Sequence, residues 1–144
     1  MTLHKRFVAR GLLLAAFCSV GALAHAESIT FKTHMTTAQE VPPKTGAGEG
    51  DVTATLDTAT EKLTYSVTYS GLSGDATAAH FHGPATPGVN AGVTVPMKAP
   101  LASPITGEAT LTPEQASDLM AGKWYFNVHT AANPGGEIRG QLIH

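Results

Sequence analysis

The sequence has 144 residues, nine basic and eleven acidic, giving a formal net charge of −2, and it carries a single cysteine. That length allows one domain with one core. No basic cluster occurs along the chain beyond its first ten residues, which removes the electrostatic footprint of nucleic-acid binding. A lone thiol excludes an internal disulfide framework.

The first element reads as a leader. Lys5, Arg6 and Arg10 stand in a stretch without acids, and Gly11 to Ala24 is a continuous apolar run of fourteen residues. A membrane span needs about 20 residues, whereas a run of this size suits a secretory signal peptide. Ala24-His25-Ala26 before Glu27 is the preferred cleavage site, and Ala22-Leu23-Ala24 before His25 is the alternative. Residues 1–26 are therefore expected to be removed, leaving 27–144 as one domain of 118 residues with six basic and eleven acidic side chains, net −5. Cys18 departs with the leader. The expected product is exported, periplasmic or extracellular, with no membrane span.

From Ser28 onward the apolar signal has a period of two, the signature of half-buried strands. Ile29, Phe31, Thr33 and Met35 alternate with polar residues up to the Pro42-Pro43 break. Val52, Ala54 and Leu56 follow a Gly-rich loop, and Leu63, Tyr65, Val67 and Tyr69 continue after the short connection 58–61, a hairpin signal. Further strands are expected over 77–83, 92–98, 105–111, 124–130 and 137–143. One helix is predicted between them: Thr112 caps it, Pro113 opens it, Gln115 completes a capping box, and Ala116, Leu119 and Met120 form its apolar face before Gly122. The expected fold is all-β, a Greek-key β-sandwich of seven or eight antiparallel strands with one short helix.

The histidines carry the chemistry. His80 and His82 flank Phe81, and on a strand residues two apart share a face with Cα atoms roughly 6.5 Å apart. In Trp124-Tyr125-Phe126-Asn127-Val128-His129 the first, third and fifth residues form one face. Tyr125, Asn127 and His129 form the other, so His129 points away from the apolar stripe. Three neutral imidazoles with an open fourth position suit Zn²⁺ or Cu²⁺. The plainer alternative is a set of hydrogen-bonded histidines without metal. Met35 and Met97 are expected in the core rather than as soft ligands. His34 lies on the opposite face from Met35, and His144 is expected to be disordered. Glu137 and Arg139, two apart on a strand, are expected to form an exposed ion pair of little energetic weight. Gly135-Gly136 reads as a turn that a Cβ would obstruct. There is no Gly-x-Ser-x-Gly elbow, and no phosphate loop ending in lysine.

Four separated stretches resemble one known family: Ala38 to Pro43, Ala79 to Ala85, Gly122 to Thr130 and Asn133 to Leu142 look like the CHRD (chordin-type) domain. The resemblance covers nearly the whole of 27–144 in order. It implies a β-sandwich module of exported proteins, and its pattern includes histidines matching His80, His82 and His129, but it implies little about activity. Three readings stay open at this point. The chain is a metal-handling or metal-sequestering module holding copper or zinc at those three histidines, a metal-free structural or adhesive module, or a metal-dependent redox enzyme.

Overall fold

The computed structural model describes residues 27–144, so the expected leader lies outside the described residues. Strands β1 (Ser28–Thr36), β2 (Glu49–Asp57) and β3 (Lys62–Ser70) form an antiparallel meander in continuous register, Phe31 opposite Ala54 and Val52 opposite Val67. The period-two pattern is the cause: Phe31, Met35, Val52, Ala54, Leu56, Leu63 and Val67 all fall on the buried face, and a slip of one residue would expose them together. Asp57 sets the tight connection between β2 and β3, its Oδ1 accepting from the amides of Ala59 and Thr60 at 2.9 and 3.0 Å.

The remaining strands are β4 (Ala76–His82), β5 (Val93–Pro96), β6 (Ile105–Thr110), β7 (Tyr125–Thr130) and β8 (Ile138–Gln141). All eight belong to one antiparallel sheet in the order β5-β4-β7-β8-β1-β2-β3-β6. Its two ends come round to each other. Val95 on β5 and Ile105 on β6 are buried in the same core and line one cleft with Tyr65, whose ring meets that of Phe81 edge-on at 5.4 Å. The expectation of an all-β fold with eight antiparallel strands and one helix holds. The sandwich does not describe it, because the sheet is continuous and forms a nearly closed barrel. β8 makes the difference: it joins β7 to β1, with Arg139 opposite Thr36, and leaves no break between two sheets.

The helix α1 (Pro113–Met120) forms as expected, with a reciprocal capping box between Thr112 and Gln115 at 3.2 and 2.9 Å. It buries Ala116 and Leu119, but Met120 turns outward and is 39% exposed, so the apolar stripe is narrower than expected. Replacing Thr112 with alanine removes one capping acceptor. Chemical denaturation should show a loss of about 1 kcal/mol. Among the described residues no helix is long and apolar enough to cross a membrane.

His144 Nε2 lies 3.2 Å from the Met120 carbonyl, and its ring meets Phe31 edge-on at 5.3 Å. The fold corrects one local expectation. Glu137 and Arg139 are neither exposed nor paired with each other, being 3% and 2% exposed. Glu137 precedes β8 and turns into the β7–β8 connection, where it accepts from Ser73, Thr130 and Asn133. Burial pushes the Glu137 carboxyl up, but these hydrogen bonds outweigh it and hold the group below the usual carboxylate range. Arg139 instead donates to Asn90 Oδ1 and the Val89 carbonyl, both at 2.7 Å.

Candidate metal centre

β4 and β7 are neighbours, with His80 opposite Asn127 and His82 opposite Tyr125. Phe81, Phe126 and Val128 point into the core, while His80, His82, Tyr125, Asn127 and His129 take the opposite face. That face is covered, since every residue of β7 is buried. The segments that follow β4 and β7 supply the cover, and each contributes a backbone carbonyl to a histidine.

The three predicted histidines meet. His80 Nδ1 lies 3.1 Å from His129 Nε2, and one ligand atom from each of His80, His82 and His129 falls within 4.8 Å of the others. His82 and His129 are buried, and His80 is partly exposed. Their tautomers follow from their partners. A carbonyl oxygen only accepts, so His82 Nδ1–H donates to Ala91 at 3.0 Å and His129 Nδ1–H donates to Pro134 at 2.9 Å. In the neutral ring this leaves Nε2 of both histidines as lone pairs, directed into the cluster. A hydrogen bond from the far ring nitrogen to a backbone carbonyl is the usual way a metal-binding imidazole is oriented.

Further groups shape the site. Tyr125 stacks on His82 with ring centroids 4.7 Å apart and planes within 2°, and the Arg139 guanidinium lies 3.5 Å from the Tyr125 centroid. The Tyr125 hydroxyl also ties down the covering segment, accepting from the Ala91 amide at 3.1 Å and donating to its carbonyl at 3.2 Å. Asn127 Oδ1 lies 2.9 Å from both His82 Nε2 and His129 Nε2, and its amide nitrogen faces Glu40 Oε1 at 3.4 Å. Glu40 is 4% exposed; burial pushes its carboxyl up, against the lowering effects of the Asn127 hydrogen bond and the Arg139 charge.

Sequence reasoning reached the three histidines and missed Asn127 and the two carbonyls. The shared face of Tyr125, Asn127 and His129 is a usable signal for Asn127. Glu40 falls in the Ala38–Pro43 stretch of the resemblance, but nothing local marks its meeting with Asn127, 87 residues away. Met35 is fully buried and Met97 packs against the core, as expected. His34 lies apart at the surface, 3.0 Å from Asp51.

Burial holds His80 well below the ordinary imidazole range, at about 4, helped by its neighbours His129 and His82. Burial also lowers His82, against hydrogen bonds to Ala91 and Asn127 that raise it. The metal-free fold thus binds fewer protons here than the unfolded chain does once the pH drops below about 6.5. The His80 contribution to the stability of the metal-free protein should be constant above that value, fall as the pH is lowered toward about 4, and level off below it. Urea unfolding across this range checks it, and His80→Ala should flatten the profile.

A nearly closed antiparallel barrel with three convergent histidines on two adjacent strands defines a small all-β domain with a candidate metal centre. The chain belongs to the CHRD domain family, whose model matches residues 31–142, from Phe31 on β1 to Leu142 just beyond β8. No curated protein and no solved structure matches it.

Proposed function

We propose that this chain is an exported module that holds one copper or zinc ion through His80, His82 and His129, and serves in metal handling or sequestration. The observation that carries this reading is the convergence of the imidazoles with their Nδ1–H groups on His82 and His129 already committed to carbonyls, so that lone pairs face one point. Neutral nitrogen donors of this kind suit Zn²⁺ and Cu²⁺ at about 2.0–2.1 Å. Such an ion would supply Lewis acidity or, for copper, a redox centre. The chain's own residues hold His82 and His129 in one tautomer and bury both.

The partial exposure of His80 is the one feature that favours the catalytic alternative, because it gives a route from solvent. A copper-loaded protein that turns over superoxide or peroxide would support that alternative over simple holding.

Calorimetric titration of the purified protein with Zn²⁺ and with Cu²⁺ tests the proposal. One ion per chain is expected, and the triple variant His80→Ala, His82→Ala, His129→Ala should bind none at that site. Equal binding by wild type and triple variant would overturn it. N-terminal sequencing of the protein recovered outside the cytoplasm tests export, with Glu27 as the expected first residue.

A further inference from the structure

The geometry points to Asn127 as the fourth ligand of this centre, its Oδ1 closing the shell that the three histidines open. The inference rests on the cluster being a metal site and goes beyond it by deciding whether the ion has a free position.

A side-chain amide accepts through its oxygen and donates through its nitrogen. The amide nitrogen of Asn127 is the end that faces Glu40. Glu40 Oε1 is the acceptor 3.4 Å from Asn127 Nδ2, which turns Oδ1 toward the imidazoles. Gly136 leaves room for this arrangement: a Cβ there would collide with Glu40 Oε1 and lie 2.7 Å from Asn127 Nδ2.

The oxygen so placed lies 2.9 Å from Nε2 of His82 and 2.9 Å from Nε2 of His129. Neither nitrogen carries a hydrogen when the ring is neutral, because each ring's proton is spent on a backbone carbonyl. Three acceptor atoms therefore face one another, with His80 Nδ1 another 3.1 Å from His129 Nε2. Lone pairs held this close are relieved by a proton or a cation among them, and a single cation serves all of them at once. Donors about 2.0–2.1 Å from a tetrahedral ion are about 3.3 Å apart, against 2.9–3.1 Å for these contacts and up to 4.8 Å across the three imidazoles. An amide oxygen with three imidazoles makes a shell of three nitrogens and one oxygen. That set favours a divalent ion over Cu(I), which prefers sulfur. It also leaves no vacancy for a substrate, so the ion is held rather than presented.

Cobalt(II) is the probe, since its visible spectrum reports coordination. In the wild-type protein the Co²⁺ spectrum should be tetrahedral and unchanged by added azide, because all four positions are filled. Asn127→Ala should bind Co²⁺ and Zn²⁺ at least about tenfold more weakly, and its Co²⁺ spectrum should shift with azide. Asn127→Asp keeps an oxygen in place and should stay insensitive to azide. The inference is overturned if azide changes the wild-type spectrum, or if Asn127→Ala binds with unchanged affinity. The wild-type arm needs no variant to fold. Metal uptake by the wild type with either of those results sinks the fourth ligand alone, whereas no uptake at all sinks the metal reading with it.

Discussion

His129→Ala is expected to weaken Zn²⁺ binding by more than about 100-fold, because outer-shell partners alone are worth 10–100-fold and His129 contributes a ligand. The same substitution should abolish metal-dependent stabilisation. In the wild type, free Zn²⁺ at 100 times its dissociation constant should stabilise the fold by about 2.7 kcal/mol. In the variant the unfolding midpoint should not move with metal. His129 is the decisive choice among the three because it alone comes from β7. His80 and His82 come from β4, so removing His129 leaves imidazoles from one strand only. Thermal unfolding with and without Zn²⁺ reads both effects. A variant stabilised as much as the wild type would place the ion elsewhere.

The second large effect belongs to Gly136→Ala, expected to destabilise the protein by about 2–4 kcal/mol. Gly136 has φ of +125°, a conformation that side chains rarely adopt, and a Cβ would meet both Glu40 and Asn127. Two costs therefore add, backbone strain and displacement of a buried hydrogen-bonded pair. Its neighbour is the control: a Cβ on Gly135 meets nothing within 4 Å, so Gly135→Ala should be close to neutral in the same urea titration. The Gly136 variant should also bind metal less well, since Asn127 and the Pro134 carbonyl both depend on this turn. Equal stability of the two variants would contradict the role given to Gly136.

Much of this molecule can be read from local pattern. Alternation in Phe31, Met35, Val52, Leu56, Leu63 and Val67 specifies strands and their buried face, because a side-chain period of two permits only one register against a core. Thr112 and Gln115 specify the helix start through two hydrogen bonds, both local. His80 and His82 share a face for the same geometric reason, and alternation along Trp124–His129 aims His129 out of the core.

What alternation cannot carry is which strands adjoin. The pairing of β8 with β1, through Thr36 and Arg139, closes the sheet, and it depends on residues about a hundred positions apart. At that link the expected sandwich becomes one continuous sheet. Glu137 departs from expectation for a related reason: strand phase begins one residue later, at Ile138, and in the turn before it the Glu137 side chain finds Ser73, Thr130 and Asn133 instead of solvent. The carbonyls of Ala91 and Pro134 were invisible because a backbone acceptor leaves no trace in residue type. Gly135-Gly136 was read as a turn, but only the structure separates the glycine that a side chain would jam from the one that stands in open space.

The X-ray absorption spectrum of the zinc-loaded protein at the metal edge addresses the centre itself. It should show first-shell nitrogen and oxygen at about 2.0–2.1 Å together with outer-shell scattering from three imidazole rings. A first shell without imidazole scattering, or one unchanged by replacing His80, His82 and His129, would contradict the three-histidine centre.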